Sequence, residues 1–263
     1  MKNELATSAA TDGPRVRAVP AVTRALAILR LLGRSRTPLG VKAIARELGL
    51  VPSTALHILR ALVSEGLVRV DAGTKHYSLG IGMLSLARAV LENSGFTSLV
   101  QPDLDVLSAR YGVTAIGLEL IGLEHMVVVA LSRSHTPIRL HVDVGSRFPA
   151  LISATGRCVA AFGAHAPADV KRHFRLLQWQ NAPTWETWWC KEVEAARRQG
   201  YSIDRGNYIG GVTVVAVPVP TSRPSLSHSI AAVGLANQLD RTAAVALARD
   251  MQKAAATVAA QLS

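Results

Sequence analysis

Side chains able to hydrogen-bond a base edge fall together at Ser53, Thr54 and His57. Their spacing puts them on the helix face opposite Leu56 and Leu59, and Arg60, one turn on, suits a phosphate. Lys75 and His76 sit near the tip of what reads as a hairpin, placed to reach a nucleic-acid backbone or minor groove. Far downstream, Ser153-Ala154-Thr155-Gly156 enters another helix. Small residues there leave the first amides approachable. Such a terminus attracts carboxylate or phosphate through unpaired N–H donors and the helix dipole. An ordinary capped helix is the plain alternative.

Catalytic chemistry finds less to work with. Five histidines lie between His125 and His173, but no pair has the i, i+4 spacing of a helical metal site. There is no Cys-x-x-Cys, no G-x-S-x-G elbow, no P-loop and no G-x-G-x-x-G after a strand. Cys158 lies inside an apolar helix and reads as core. An enzyme, a metal and a cofactor are therefore not expected.

The elements that must hold these residues begin after a polar stretch. Residues 1–19 mix Thr, Ser, Gly, Pro and Arg without periodicity and read as a disordered tail, not as a secretory signal. A helix follows from Ala21, with Val22, Leu26, Leu29 and Leu32 on one face. Ile44, Ala45 and Leu48 form a second, shorter stripe that Gly49 stops. Ser53 reads as the N-cap of a third helix that turns Ala55, Leu56, Leu59, Leu62 and Val63 inward and ends at Gly66. Leu67–Val70, a turn at Asp71–Thr74 and Lys75–Leu79 then make a hairpin. Helix, tight turn, helix and hairpin together predict a winged helix-turn-helix over residues 20–80. Such a module serves either DNA or protein contacts.

Charge separates those two uses. The 263 residues carry 29 Lys and Arg against 18 Asp and Glu, a net +11. Residues 1–92 hold 13 against 6, and residues 21–80 hold 9 against 3. A basic module joined to a near-neutral one points to double-stranded DNA. One recognition helix reads only a few base pairs, so a roughly palindromic operator and a homodimer, or a dimer of dimers, are expected. Two cysteines suit a reducing cytoplasm, and no run of 18 apolar residues predicts a membrane span.

Gly82 to Asn93 predicts an apolar linker helix within residues 81–95. Residues 96–263 then alternate differently. Strands are expected at Ala115–Ile121, Met126–Leu131, Pro137–Val142, Val212–Val219 and Ile230–Ala236. Helices are expected at Val100–Tyr111, Gly156–Phe162, Pro167–Leu177, Trp185–Gln199 and Arg241–Leu262. This is an α+β sheet domain. All four tryptophans, Trp179, Trp185, Trp188 and Trp189, lie within eleven positions. They read as the packed start of a helix capped by Thr184, with an aromatic lid as the alternative.

The ordered set of motifs resembles the IclR family of bacterial transcriptional regulators over roughly residues 20 to 262. It comprises Ala21-Val22-Thr23-Arg24-Ala25-Leu26, Ile44-Ala45-Arg46-Glu47-Leu48-Gly49-Leu50, Ser53-Thr54, Glu65-Gly66-Leu67-Val68 and Tyr77-Ser78-Leu79-Gly80. Downstream it continues with Ser153-Ala154-Thr155-Gly156-Arg157, Gly200-Tyr201-Ser202-Ile203-Asp204 and the run from Gly211 to Val219. The resemblance implies a GAF-like effector-binding fold in the C-terminal domain, a linker helix that helps pair subunits, and a small organic acid as effector. Carried over by position, the pocket would be lined by Ala154, Thr155, Gly156, Asp204, Val214, Gly234 and Ala236. Family members often have Arg at the position of His57 and Lys at that of Pro52, so a borrowed operator sequence is in doubt. In the better-known pattern a Cys matches Val214 and serines match Gly234 and Ala236. Their loss implies a wider, less polar floor and a bulkier, aromatic effector. The expected function is thus a sequence-specific DNA-binding regulator modulated by a small organic acid. The alternatives are a winged helix fused to a catalytic α+β domain and a nucleoid-type DNA binder without effector.

Overall fold

The computed structural model describes residues 19–93, 95–133, 142–222 and 225–262. The expected tail before Val19 and most of the expected strand at Pro137–Val142 lie outside them. Contacts divide the chain into two compact units, one through Val90 and one from Leu91. Among the described residues no helix is long and apolar enough to cross a membrane.

The first unit strings α1 (Pro20–Arg34), β1 (Leu39–Gly40), α2 (Val41–Glu47), α3 (Pro52–Ser64), β2 (Val68–Val70) and β3 (His76–Leu79). The core is Ile28 and Leu32 of α1, Ile44 of α2, Leu59 and Leu62 of α3, and Val68 and Tyr77 of the hairpin. The predicted face of α1 is thereby corrected. Ile28 is fully buried, whereas Val22 and Leu26 are 55% and 44% exposed. α1 carries two apolar stripes, and only one meets its own unit. β1 was not expected as a strand; it pairs Leu39 with Tyr77 and makes the wing three-stranded, in the order β1-β3-β2.

Both helices of the turn end in the same way. Gly49 and Gly66 have φ of +61° and +69°, a conformation that costs glycine little. Behind them the amides of Leu50 and Leu67 reach back to the carbonyls of Ala45 and Leu62, and those of Gly49 and Gly66 to Arg46 and Val63. This double closure satisfies the orphan carbonyls and fixes the exit direction of each helix. α4 (Gly82–Asn93) follows the wing, as the linker pattern predicted.

The second unit is α+β. A six-stranded, wholly antiparallel sheet runs β6-β5-β4-β9-β8-β7. Its strands are β4 (Thr114–Ile121), β5 (His125–Ser132), β6 (Arg147–Pro149), β7 (Ser202–Arg205), β8 (Val212–Val219) and β9 (His228–Leu235). The short edge strands β6 and β7 were not expected. α5 (Gly95–Tyr111) and α10 (Arg241–Leu262) close one face, where Phe96, Leu104, Ile230, Val215 and Met251 are buried. Each such side chain contributes about 1.5–3 kcal/mol by leaving water. α6 (Ser153–Phe162) and α7 (Pro167–Phe174) lie on the other face. There too α8 (Trp185–Thr187) passes through a π-helical stretch (Trp188–Val193) into α9 (Glu194–Gln199).

Thr184 caps α8 by accepting from the Thr187 amide at 3.2 Å. Trp188 is fully buried, and Trp185 stacks on Trp189 with ring centres 5.1 Å apart. With Phe174 between Trp185 and Trp188, the tryptophans form a packed ring cluster.

Candidate functional site

In the first unit, Pro52 moves the start of α3 two residues upstream. Its fixed φ suits the first helical position, and its missing N–H would have had no partner there. Val51 is therefore the N-cap, and no side chain caps the helix. The expectation that Ser53 caps α3 is corrected: Ser53 lies inside the first turn, exposed. His57 and Arg60 are exposed on the same face, and Thr54 is half-buried beside them. The spacing 53, 57, 60 makes one stripe along the helix.

The wing tip is built by Asp71. Its Oδ1 accepts from the Thr74 amide at 2.6 Å and from the Thr74 hydroxyl at 2.8 Å. These bonds hold its carboxyl below the ordinary value, the Thr74 amide contributing most. Lys75 follows with φ +54°, a left-handed conformation uncommon outside glycine, and is exposed at the tip. His76 Nδ1 pairs with the Thr74 carbonyl at 2.8 Å. Arg69, which no motif marks, lies exposed on the wing with its Nε donating to Ser78 Oγ at 2.8 Å.

In the second unit a cavity of about 170 Å³ opens between the sheet and the start of α6. Ile116, Leu118, Met126, Val214, Ala231 and Val233 form its sheet wall. Tyr208 and Ile209 cover it. The only polar side chains from α6 in its wall are Ser153 and Thr155. Ser153 has φ +58°, is 4% exposed, and its hydroxyl has no partner among the described residues. The Gly156 amide is used, donating to the Ile152 carbonyl at 2.9 Å. The amides of Ser153, Ala154 and Thr155 precede it and have no acceptor among the described residues. The first turn of α6, with unpaired amides and the positive helix end, thus lies at a mostly apolar chamber that Ser153 and Thr155 line.

The carried-over pocket residues divide. Thr155 and Val214 line the cavity. Ala154 does not line the cavity; its side chain is fully buried in the core behind. Gly156 is turned away and seated on the backbone of Leu151. Asp204 faces the same side as its ladder partner Val214, but one strand farther out, where α6 covers it. There it accepts from the Asn207 amide at 2.8 Å and lies 3.5 Å from the buried Arg157 guanidinium. Gly234 is on the wrong face: Val214 pairs with Val233, so Gly234 looks the other way, toward Val113 and Leu239. Ala236 lies beyond the end of β9, its amide donating to the Gly211 carbonyl at 2.9 Å. The missed wall residues, Ala231 and Val233 above all, follow from strand alternation once the register is known.

The covering loop is held in place. Asn207 donates to the Asn181 carbonyl at 3.1 Å, Asn181 to the Gly206 carbonyl at 2.7 Å, and the Gly210 amide to Gln180 at 2.6 Å. Cys158 is fully buried one turn along α6, and burial pushes its thiol up to about 12. Among the described residues no group of three or more His, Cys, Asp or Glu is placed to hold a metal ion.

Comparison with known proteins accounts for both units. Residues 21–72 match the IclR helix-turn-helix domain, and residues 88–260 match the bacterial transcriptional regulator IclR C-terminal domain. The glycerol operon regulatory protein of Streptomyces griseus is 27% identical over 86% of this chain and 87% of its own. The HTH-type transcriptional repressor AllR of Salmonella typhimurium is 24% identical over 83% and 81%. Among solved structures, an IclR transcriptional regulator from Alicyclobacillus acidocaldarius superposes with a TM-score of 0.82 at 24% identity, covering 94% of this chain and all of its own. An IclR homologue from Microbacterium hydrocarbonoxydans, solved in complex with 4-hydroxybenzoate, has a TM-score of 0.75 at 18% identity, covering 92% and 98%. These relatives are named as regulators of transcription. The chain belongs to the IclR family of bacterial transcriptional regulators, with a DNA-binding helix-turn-helix domain followed by a C-terminal effector-binding domain.

Proposed function

We propose that this regulator is switched by a small organic acid with one carboxylate and an apolar body about the size of an aromatic ring. The observation that carries the reading is Ser153. A non-glycine residue in the cavity wall held at φ +58°, with a buried and unpartnered hydroxyl, is the kind of strain that ligand sites retain. The carboxylate sits on the amides of Ser153, Ala154 and Thr155 and on the Ser153 and Thr155 hydroxyls. The body rests on Val214, Val233 and Ile116. A cavity of about 170 Å³ suits one ring, since a roughly 150 Å³ apolar cavity takes benzene. The 4-hydroxybenzoate bound by a homologue of the same fold supports this class.

On DNA, Ser53 and His57 address base edges in the major groove, with Thr54 packed behind them. Arg60, Arg69, Lys75 and His76 address phosphates or the minor groove. The protein acts in the cytoplasm as a homodimer, or a dimer of dimers, on a roughly palindromic operator. Apolar side chains support the pairing: Val19, Val22 and Leu26 at α1, and Ile81, Leu84 and Leu86 at α4, are 44% to 83% exposed. Such surface calls for a second copy.

The test is a melting-temperature titration with benzoate, 4-hydroxybenzoate and benzamide, read beside DNA binding by anisotropy. The acids should raise the melting temperature with concentration and change operator affinity, while benzamide should do neither. If no acid stabilises the protein, the cavity is not an acid site.

A further inference from the structure

We propose that a second, polar cavity beside the edge strand β7 binds a small hydroxylated monocarboxylate, separately from the chamber at the start of α6. This cavity measures about 380 Å³. Its inner wall is Arg157, which is 1% exposed. Arg157 Nε donates to Glu192 at 2.6 Å and Nη2 to Asn207 at 3.2 Å. Its Nη1 has no hydrogen-bond partner among the described residues, and the nearby Asp204 oxygen at 3.5 Å is too far to serve as one. Arg157 thus brings to the cavity wall a buried guanidinium whose hydrogen-bonding capacity is not filled, though its Nη1 is ion-paired with Asp204.

The remaining wall says which acceptor. Arg205 and Arg241 are exposed and line the same cavity, so cations stand both deep and near the surface. Against these three guanidiniums stand Glu192 in the wall and Asp204 behind Arg157, which leaves one positive charge uncompensated. One carboxylate balances that, whereas a dianion such as phosphate would also face Glu192. Tyr201, Ser202, Gln199 and Asn207 add hydroxyl and amide groups that match ligand hydroxyls. The apolar ring suited to the first chamber would strand these groups here. The two cavities therefore select different chemistry. They share α6, whose first turn serves one and whose Arg157, four residues on, serves the other.

Calorimetric titration of the full-length protein with D-glycerate and D-gluconate, and separately with benzoate, tests this. At least one hydroxy acid should bind one per chain. Arg241→Glu, an exposed change, should weaken that binding at least tenfold and leave benzoate unaffected. Val214→Phe, which plugs the first chamber, should do the reverse. The proposal is overturned if neither hydroxy acid binds, if Arg241→Glu leaves its affinity within threefold, or if Val214→Phe abolishes it. Failure of the benzoate arm alone bears only on the first chamber.

Discussion

A methyl group on Gly156 would overlap the carbonyl group of Leu151. The second turn of α6 lies directly on the backbone that leads into it. That contact sets how far the first turn, with Ser153 and Thr155, stands from the sheet wall.

Gly156→Ala should therefore destabilise the second unit by about 3 kcal/mol, because rigid backbone and not a movable side chain would have to shift. Urea unfolding followed by tryptophan emission measures this, since all four tryptophans belong to that unit. An unchanged midpoint would mean that the loop yields freely.

Ser153 should show opposed effects. Ser153→Gly removes the strain of a positive φ and should stabilise the protein by about 1 kcal/mol, while weakening benzoate binding through loss of the hydroxyl. Ser153→Ala keeps the strain and should weaken binding alike. Melting curves with and without benzoate separate the two contributions.

Gly234→Leu and Val214→Phe should part company. Gly234 has Val113 at 3.1 Å and Leu239 at 3.5 Å from where its Cβ would be. Its enlargement should cost about 1–3 kcal/mol of stability and leave the affinity for benzoate intact. Val214→Phe should fill the chamber and remove the benzoate response. Loss of benzoate binding in a stable Gly234→Leu protein would place the chamber on the α10 side of the sheet.

On the DNA side, His57→Ala should relax specificity at one base position by about 1–3 kcal/mol, while Lys75→Ala weakens all sequences alike. Asp71 offers a sharper comparison. Asp71→Asn keeps the acceptor for Thr74 and removes a negative charge, so it should bind DNA more tightly than the native protein. Asp71→Ala also loses the turn and should bind less tightly than Asp71→Asn. Because the folded carboxyl titrates below its ordinary value of 3.8, the charged form holds the turn at neutral pH. That contribution fades only as pH falls below 3.8 through the lower folded value. Anisotropy on operator variants ranks these proteins.

Thiol labelling distinguishes the cysteines. Cys190 is exposed and should react at once at pH 8, whereas Cys158, buried and held protonated to about 12, should react only on unfolding. Two rapid equivalents would show that α6 opens in the native state.

The long elements were legible because each has room for its period: α10 and α3 by their apolar stripes, β8 and β9 by branched residues. β6 and β7 were not, since three and four residues leave no alternation to read, and pairing to β5 and β8 decides them. The two stripes of α1 look alike in sequence; only packing shows that Ile28 belongs to the core and Val22 does not. At the candidate site, Val214 and Thr155 came from the family pattern, but Gly234 fell one residue out of register and so on the opposite face. Ser153 was visible as part of a helix entry, but its left-handed φ was not, because a serine carries no sequence signal for that conformation.

The two faces of the large sheet divide their labour. α5 and α10 close one face with large, fully buried side chains, while the other face divides between a packed part around Leu151, Phe174 and Trp188 and an open chamber. Substitutions at Val214 or Val233, which are only half-buried, change the volume of a space that protein does not fill, so they disturb few contacts that folding depends on. A scaffold arranged this way can drift from one inducer to another in single steps, each intermediate still folded, with no second substitution required to rescue it.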